Sequence, residues 1–410
     1  MRLAIVITHP IQYYAPLFRL LAMEERLSIK VFYTWGTSVL QNKYDPDFGR
    51  HITWDIPLLD GYEYHFTRNI ARQPGSSGFL RIQNPDLAGE IEAWQADAIL
   101  LIGYAYAGHV KVLRYFSGKI PVWFRGDSTL LDEQYNWKSL LKTVLLRWVY
   151  KHVDKALYVG EENRRYFKRY GLKDDQLVFV PHAVDNERFA ADRTTEATVL
   201  RQRLGISDQD VLILFAGKLE PKKDPQLLLE AFIEVKDKAE IKVEIEINKS
   251  TSRQFNKDEA EVKPKVHLLF VGNGVLEESL KWKVESEKLK DVHFMDFQNQ
   301  QYMPVVYQAC DLFCLPSQGP GETWGLAVNE AMAAGKAVLV SDKAGCAHDL
   351  VRRGDNGEVF KAGDKNALIS ALNSLCISKS RLRIMGGRSR ELIKSWSLGE
   401  QVKAILKQLP

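Results

Sequence analysis

Short apolar runs, each followed by a segment of helical periodicity, recur along the first 190 residues of the chain and then begin again. Runs that are apolar at every position are typical of strands covered on both faces, and strands that alternate with helices favour a parallel sheet. The runs are 3–8, 28–34, 97–102, 120–124, 156–159 and 177–180 in the first half, and 211–215, 268–271, 292–295, 311–315, 337–340 and 358–360 in the second. The pattern therefore predicts an α/β chain of two doubly wound, Rossmann-like domains that face a cleft.

The chain length of 410 residues fits two domains, because domains commonly have about 100–200 residues. We place the first domain at 1–190 and begin the second at 191, with a linker at 190–197 because that stretch is polar and has no hydrophobic period. The Lys- and Glu-rich stretch 234–265 is interpreted as a surface insertion, within which 241–247 alternates as an extra strand would.

The composition argues against several classes of protein. Lys plus Arg is 56 and Asp plus Glu is 52, so the net charge of +4 demands no nucleic acid as a partner. The four cysteines have no zinc-site spacing, and Cys310 and Cys314 are predicted to be buried structural thiols in a reducing compartment. No apolar run reaches the roughly 18 residues of a membrane span, and the first run is too short for a secretory signal. These features predict a cytoplasmic protein.

Residues 111–173 form a basic region, with 14 Lys and Arg against 6 Asp and Glu. Apolar side chains, among them Trp137 and Trp148, are interspersed with the basic ones. Two interpretations stay open for the helix predicted within 130–152. Its apolar stripe either faces the core of the domain or lies on an anionic membrane surface, which would make the protein peripheral at the cytoplasmic face of a membrane.

The segment 316–335 carries the strongest chemical signals. A glycine-rich turn follows the run 311–315, and a helical pattern then begins near Leu326. Glycines before a helix let backbone N–H groups approach an anion, and the helix N-terminus adds about half a positive charge. Glu322 in the turn and Glu330 on the helix are able to accept hydrogen bonds from the paired hydroxyls of a sugar and a ribose. The alternative is a plain strand, turn and helix in which a Glu serves as a cap.

A second segment, 215–225, also follows an apolar run and precedes a helical pattern. It places Lys218 and Lys223 at the carboxyl end of a predicted strand, where open α/β sheets bind ligands. Two ammonium groups there suit a diphosphate, and the alternative is a solvated turn, in which lysines are common.

Together these segments make the chain resemble the retaining, nucleotide-sugar-dependent glycosyltransferases of family 4, the "glycosyl transferases group 1", which have the GT-B fold. The Glu-x7-Glu motif of that family stands here as Glu322 and Glu330. Its Gly-Arg-Leu…Lys-Gly stretch appears as Gly-Lys-Leu…Lys-Asp at 217–224, and its Pro-Asn-Gly-Val-Asp…Phe stretch as Pro-His-Ala-Val-Asp…Phe at 181–189. Its Val-Gly-x-Gly turn appears at 271–274. The resemblance spans both halves and is most specific between residues 217 and 349.

The resemblance implies a donor site in the second half. Glu322 would be catalytic, binding the donor sugar and supporting the transition state, and Glu330 would bind the ribose of the nucleotide. Lys218 and Lys223 would neutralise the leaving diphosphate, with Lys223 also counted as catalytic. The backbone positions expected to line the same site are Gly217, Gly272, Gly325 and Leu326. No metal ion or other cofactor is expected, because the lysines and the helix N-terminus replace a divalent cation.

The first half departs from the family at the positions expected to bind the acceptor. The glycine-rich loop usual after the first strand is replaced by a segment that contains His9 and Gln12. After the run 120–124, where the family frequently has a His, the chain has Arg125 and Asp127. In one interpretation Asp127 takes the catalytic position of that His, and in the other Arg125 contacts a charged acceptor. His109 is either a further acceptor contact or a structural side chain.

The resemblance also implies a reaction: transfer of a sugar, with retention of configuration, from a nucleotide-diphosphate sugar to an acceptor hydroxyl. The acceptor would be a carbohydrate or a lipid-linked carbohydrate in surface polysaccharide or glycoconjugate assembly. The second domain would end at 393, and the last helix, 394–410, would cross back to the N-terminal domain. Two alternatives stay open on the same fold, a nucleotide-sugar epimerase and a non-catalytic sugar-nucleotide-binding scaffold. A nicotinamide-dependent dehydrogenase is not expected, since no Gly-x-Gly-x-x-Gly follows a predicted strand.

Overall fold

The computed structural model describes residues 1–37, 43–45, 50–75, 77–134, 136–236 and 264–409. They form two compact domains, of which the first contains the chain up to Asp185 and returns at Ser395, and the second is Asn186–Lys394. Most of the stretch 234–265, including the strand expected at 241–247, lies outside the described residues. Within the described residues, no helix combines the length and the apolar composition needed to cross a membrane.

The first domain is built on a parallel sheet. Its strands are β1 (Arg2–Ile7), β2 (Ser28–Tyr33), β3 (Lys43–Asp45), β4 (Arg50–Ile52), β5 (Glu63–Phe66), β6 (Ala98–Ile102), β7 (Val122–Arg125), β8 (Lys155–Tyr158) and β9 (Leu177–Phe179). β3 and β4 form a separate antiparallel pair, and the other seven lie side by side in the order β5-β2-β1-β6-β7-β8-β9. The order reverses between β1 and β6, which makes the carboxyl ends of these two strands a topological switch point.

Helices cover this sheet on both faces. They are α1 (Ala15–Ala22), α2 (Leu87–Ala93), α3 (Ala107–Phe116), α4 (Trp137–Tyr150) and α5 (Glu161–Arg169). In β1, Ile5 packs into a core that contains Phe18 of α1, whereas Val6 packs into a second core that contains Val112 of α3. The first run is apolar at consecutive positions because each face of the sheet has its own core.

The second domain repeats this plan with six parallel strands. They are β10 (Val211–Ala216), β11 (Val266–Val271), β12 (Val292–Met295), β13 (Leu312–Leu315), β14 (Ala337–Ser341) and β15 (Gly357–Phe360). Their order is β12-β11-β10-β13-β14-β15, so the switch point lies between β10 and β13.

The helices of the second domain follow the strands in alternation. They are α6 (Asn186–Ala190), α7 (Thr194–Arg203), α8 (225–236 within the described residues), α9 (Glu277–Ser286), α10 (Met303–Ala309), α11 (Leu326–Ala333), α12 (Ala347–Leu350), α13 (Lys365–Leu375) and α14 (Lys379–Leu392). The expectation of two parallel α/β domains is confirmed by this architecture.

The last helix, α15 (Leu398–Leu406), is part of the first domain. Leu398, Val402 and Ile405 are buried in the same core as Phe18 of α1. The Ser397 hydroxyl caps the helix by accepting from the backbone N–H of Glu400 at 3.3 Å. The chain therefore completes the hydrophobic core of its first domain only after it has passed through the second.

The expectation of a linker at 190–197 is wrong in part, because α7 begins at Thr194. Ala197 and Leu200 of α7 are buried. Arg201, on the same side of the helix, forms an ion pair with Asp311 at 3.0 Å. The buried side of α7 includes the charged Arg201, and the apolar Val199 is 39% exposed, so the helix lacks the hydrophobic period by which helices are recognised. The structural boundary lies earlier, between Asp185 and Asn186.

No pattern in the sequence predicts β5. It is a four-residue strand at the edge of the first sheet, paired only with β2 among the described strands. Three of its four residues are exposed, so it lacks the apolar run that marks the buried strands.

Candidate functional site

The loops that follow β10 and β13 meet at the switch point of the second domain. The backbone N–H of Gln318 donates to the carbonyl of Lys222 at 2.9 Å, and the Gln318 side chain donates to the carbonyl of Pro221 at 2.8 Å. These bonds join two segments that are almost one hundred residues apart in sequence. They bring the two motifs of the second half, 217–224 and 316–335, into one place.

The loop after β11 supports this arrangement from the other side. The backbone N–H of Leu219 donates to the carbonyl of Asn273, and that of Leu276 donates to the carbonyl of Leu219. A Cβ atom at Gly272 would lie 2.1 Å from the carbonyl oxygen of Gly217, so only glycine allows the two loops to approach this closely. Gly217 and Gly272, both expected to line a donor site, therefore contact each other through the backbone.

The glycine-rich turn ends at Gly325, which is the N-cap of α11. Gly325 has a left-handed backbone conformation, and no side chain caps the helix. The first turn of α11, which begins at Leu326, contains no acidic side chain. Its first backbone N–H groups, together with the helix dipole, form a site suited to an anion.

An ion pair joins the two motifs next to this helix N-terminus. The ammonium of Lys223 lies 2.5 Å from a carboxylate oxygen of Glu322, and the Ser317 hydroxyl donates to the same oxygen at 3.1 Å. The Glu322 and Lys223 side chains are only 10% and 16% exposed. Ser317 is fixed in turn, because its carbonyl accepts from the hydroxyl of Ser341 at the end of β14. The ammonium and the hydroxyl together compensate the burial of the carboxylate, which would otherwise be costly.

Glu330 lies one turn further along α11 and is buried. The Tyr307 hydroxyl of α10 donates to its carboxylate at 2.8 Å. Beside it, the indole N–H of Trp324 donates to the side-chain oxygen of Asn329 at 2.8 Å, which fastens the glycine-rich turn to the helix. No pattern in the sequence points to Ser317, Tyr307 or Asn329, since single polar residues among apolar ones have no characteristic spacing.

The loop after β14 is hydrogen-bonded to the glycine-rich turn that precedes α11. The backbone N–H of Gly345 donates to the carbonyl of Glu322, and that of Cys346 donates to the carbonyl of Trp324. A Cβ atom at Gly345 would lie 1.8 Å from the carbonyl oxygen of Thr323. Two backbone segments thus touch at the point where Glu322 is positioned.

Gly345→Ala is expected to lower the free energy of unfolding by about 1–3 kcal/mol, because the added methyl group must push the 322–324 backbone away. The same displacement moves Glu322 relative to Lys223. Urea denaturation measures the change in stability. The control is Gly387→Ala in α14, where a Cβ atom meets nothing within 4 Å and alanine is expected to stabilise the helix by up to about 1 kcal/mol. Equal stability of the two variants would contradict the close contact at Gly345.

The cysteines take no part in this chemistry. Cys310 and Cys314 are fully buried and free, as the sequence predicts, and burial raises the pKa of the Cys310 thiol to about 12. Burial also holds the pKa of the Cys346 thiol well above its ordinary value, and the neighbouring Glu322 carboxylate adds to the effect. These thiols are protonated at neutral pH and serve as packing groups.

Among the described residues, no three His, Cys, Asp or Glu side chains gather in the way that metal ligands do. At the candidate site itself, the cationic groups are the ammonium of Lys223 and the N-terminus of α11, with Lys218 in the same loop as Lys223. The two glutamates of the site are engaged otherwise, Glu322 with Lys223 and Glu330 with Tyr307, and they do not make a chelating site.

In the first domain, the predicted acceptor residues follow β1 and β7. Both strands flank β6, so their carboxyl ends lie on one edge of the sheet. His9 and Gln12 come after β1, and both are partly exposed. The His9 ring is 2.8 Å from the Thr8 hydroxyl and packs edge-on against Trp35. Asp127, two residues after the end of β7, is also partly exposed.

Arg125 and His109 differ from these, because both are buried. The Arg125 guanidinium donates to the backbone carbonyls of Val180 and Pro181, at 2.9 and 3.2 Å. Gln401 of α15 donates to the same Pro181 carbonyl at 2.6 Å. Arg125 therefore helps to join β7, the segment 180–181 and α15. In this structure the guanidinium is a structural group, and direct contact with an acceptor would require this arrangement to open.

The His109 imidazole is held on both sides. Its Nδ1 donates to the carbonyl of Gly103, and its Nε2 lies 2.8 Å from the Thr34 hydroxyl. Burial lowers the pKa of His109 to about 4, so the ring is neutral at physiological pH. Of the two interpretations that the sequence left open, the geometry favours the structural one.

In structure, the whole chain resembles glycosyltransferases of known structure. Anabaena Alr3699/HepE, solved in complex with UDP and glucose, superimposes with a TM-score of 0.67 over 99% of this chain and 98% of that chain, at 16% identity. At this level of identity the likeness concerns the fold. The two parallel α/β domains described above are those of a GT-B fold.

In sequence, residues 196–392 match the model of the family described as "Glycosyl transferases group 1". A D-inositol 3-phosphate glycosyltransferase of Nocardia farcinica is 25% identical over 250 residues, 60% of this chain and 50% of that protein. A lipopolysaccharide 1,2-N-acetylglucosaminetransferase of Salmonella typhimurium is 30% identical over 187 residues, 45% of this chain and 44% of that protein. The chain spans about half the length of these relatives. The match to this family thus lies in the second domain, which holds the Lys223–Glu322 pair and Glu330.

Proposed function

We propose that the protein transfers a sugar from a nucleotide-diphosphate sugar to a hydroxyl of an acceptor, without a metal ion. The observation that carries this proposal is the Lys223–Glu322 pair beside the uncapped N-terminus of α11. It combines a cation, a carboxylate and free backbone N–H groups at the switch point of one domain, where α/β sheets bind nucleotides.

The diphosphate is the best fit to the positive side of this site. Lys223, Lys218 and the N-terminus of α11 would share the negative charge that grows on the diphosphate as the sugar leaves. A divalent cation does the same work in other transferases, and the grouping of two lysines with a helix N-terminus supports a reaction without one.

The two glutamates suit the hydroxyl-bearing parts of the donor. Glu330, which accepts a hydrogen bond from Tyr307, is proposed to bind the two hydroxyls of a ribose. Glu322 is proposed to bind hydroxyls of the sugar. Since its carboxylate now contacts Lys223, binding of the donor would exchange partners: the diphosphate takes the ammonium, and the sugar hydroxyls take the carboxylate.

We further propose that the configuration at the anomeric carbon is retained, as in family 4. The bond from the anomeric carbon to the diphosphate oxygen breaks while the bond to the acceptor oxygen forms on the same face of the sugar. The acceptor proton passes to the departing diphosphate. Residues His9, Gln12 and Asp127 of the first domain are proposed to bind and orient the acceptor, with Asp127 at the position of the family's His.

The acceptor class is proposed to be a carbohydrate or lipid-linked carbohydrate used in surface polysaccharide or glycoconjugate assembly. The Salmonella relative, a lipopolysaccharide N-acetylglucosaminetransferase, supports this choice. UDP-sugars are the first donors to test, because the Anabaena structure of the same fold contains UDP and glucose.

The test is a thermal-shift series with nucleoside diphosphates and nucleotide sugars, with and without EDTA. A ligand that binds only the native state raises the melting temperature by mass action. At about one hundred times its dissociation constant, the expected rise is about 5 °C or more for a domain of this size. We expect one diphosphate series to give the rise, and EDTA to leave it unchanged.

Three results would overturn the proposal. A shift that disappears with EDTA would contradict the reaction without metal. A shift without any transfer to a panel of carbohydrate acceptors would favour the scaffold, and conversion of the donor sugar in the absence of an acceptor would favour the epimerase.

A further inference from the structure

Helix α4 exposes a continuous apolar stripe on the surface of the first domain. Five large apolar side chains of this helix are between 55% and 69% exposed. They are Trp137, Leu140, Leu141, Val144 and Leu145. Their spacing, with steps of three and four residues, places them along one face of the helix. Isolated exposed apolar side chains are ordinary on protein surfaces, but a contiguous set of this size marks an interaction site.

The stripe is not the side of α4 that packs into the domain. That side consists of Leu146, Val149 and Tyr150, which are buried in the core beneath the sheet. The helix therefore has two apolar faces, one used by the fold and one left outside. Of the two interpretations that the sequence left open, core packing is observed for one face of the helix, and the opposite, exposed face is the one that the membrane interpretation concerns.

The helix is held firmly in this orientation. Asn136 and Ser139 form a reciprocal capping box at its N-terminus. Lys142 reaches inward to Glu133, 2.6 Å away, and lies over the rings of Tyr166 and Tyr170. The exposed stripe is thus presented by a fixed helix, not by a frayed end.

Cations border the stripe. Lys138 and Arg147 are exposed and lie on opposite edges of it, and Lys151 follows at the end of the helix. Arg114 of α3 adds a fourth charge, because its guanidinium lies over the Trp148 ring at 5.6 Å. Of the nearby carboxylates, Glu133 is already paired with Lys142, Glu92 accepts from Tyr115, and Asp132 is partly exposed in the loop before the helix.

We propose that the α4 stripe, Trp137 to Leu145 with its bordering cations, docks this protein on an anionic lipid surface. The apolar side chains enter the boundary between headgroups and acyl chains, while Lys138, Arg147, Lys151 and Arg114 meet the lipid phosphates. A second copy of the chain fits less well. A twofold contact through this face would place the cations of one copy against the same cations of the other. The inference does not depend on the proposed transfer reaction.

The test is co-sedimentation of the full chain with lipid vesicles. We expect binding to vesicles of phosphatidylcholine containing about one third phosphatidylglycerol, and at least about tenfold weaker binding to phosphatidylcholine alone. The double variant Leu141→Glu and Val144→Glu is expected to lose binding to the anionic vesicles at least about tenfold. The matched control is Ile384→Glu in the second domain, which alters an equally exposed apolar side chain (68%) and should bind as the unaltered protein does.

A second variant and a second readout separate the charges from the apolar contact. The triple variant Lys138→Gln, Arg147→Gln and Lys151→Gln should lose the preference for anionic vesicles, as should the unaltered protein in about 0.5 M salt. Quenching of tryptophan fluorescence by brominated lipid should be smaller in Trp137→Phe than in the unaltered protein, which reports that the stripe itself reaches the acyl chains.

Failure to sediment with anionic vesicles would overturn the proposal, as would equal binding by the glutamate variant. It would also be overturned if the protein were a dimer in solution that the glutamate substitutions converted to a monomer, since the occupant of the stripe would then be a second copy. Thermal shift with nucleoside diphosphates, measured on the same variants, reports on the second domain separately. The failure of either proposal is therefore distinguishable from the failure of the other.

Discussion

Glu322→Gln is expected to lower the turnover number of glycosyl transfer by about 10²- to 10³-fold, while the affinity for the free nucleoside diphosphate stays the same or rises. The carboxylate is proposed to act on the sugar, so its loss is felt when charge develops at the anomeric carbon. The free nucleoside diphosphate lacks the transferred sugar, and it competes with Glu322 for the ammonium of Lys223, which lies 2.5 Å away. Removing the competing charge frees the lysine for the diphosphate. Steady-state kinetics and isothermal titration with the diphosphate measure the two quantities.

Glutamine is the informative replacement because it keeps the shape of the side chain and an oxygen that accepts from Lys223 and Ser317. The matched control is Glu391→Gln, which removes the carboxylate from a fully surface-exposed Glu–Lys pair, 2.6 Å from Lys394, and should change neither quantity. A Glu322→Gln variant that turns over normally would show that the site has been assigned to the wrong carboxylate. A variant that loses diphosphate affinity would show that Glu322 acts mainly by positioning Lys223.

Much of the fold was predictable because its strands are buried on both faces. β1 and β10 are apolar at consecutive positions, and β12 was predicted at its observed bounds. Strands and helices that are exposed on one side, or that bury only a few residues, have no such apolar run and are not predicted. β5 is an exposed edge strand, and in α7 the apolar Val199 is exposed while the charged Arg201 is buried. Prediction from periodicity therefore succeeds in the centre of each sheet and fails at its margin.

The candidate site was predictable as a set of loops but not as a set of contacts. Glycines and lysines after the predicted strands mark the loops at 217–224 and 316–325 as ligand-binding, because open α/β sheets bind ligands at the carboxyl ends of their strands. The sequence does not contain the strand order, and only that order brings Lys223 to Glu322. The supporting groups, such as Ser317 and Tyr307, contribute one hydrogen bond each and leave no pattern in the sequence.

In the first domain, the sequence suggested ligand contacts for residues that the structure shows to be buried. Arg125 and His109 follow or border strands, as functional residues often do, and both turn out to be enclosed by carbonyl and hydroxyl groups of the domain. A polar residue near a strand end is consistent with a ligand contact and with a buried bond to the backbone. The difference lies in burial, which depends on helices such as α15 that come from a distant part of the chain.

Lys223→Ala is expected to weaken the binding of the nucleoside diphosphate by about tenfold to one hundredfold, which corresponds to the loss of a charge-assisted hydrogen bond of about 1.5–3 kcal/mol. It should also lower the free energy of unfolding by about 1–3 kcal/mol, since the Glu322 side chain, 10% exposed, then has no cation beside it. Titration calorimetry and urea denaturation measure the two effects. Lys222→Ala is the matched control, because this neighbouring lysine pairs with Glu220 and is 40% exposed.

The two effects of Lys223→Ala are separable by a second substitution. In the double variant Lys223→Ala and Glu322→Gln, no buried carboxylate is left without a cation, so most of the lost stability should return. The diphosphate affinity should not return, because the ammonium that meets the phosphate oxygens is still absent. Recovery of both quantities would mean that Lys223 serves only to neutralise Glu322, and the diphosphate would then be held by Lys218 and the N-terminus of α11. Recovery of stability alone places Lys223 on the diphosphate, as the proposed reaction requires.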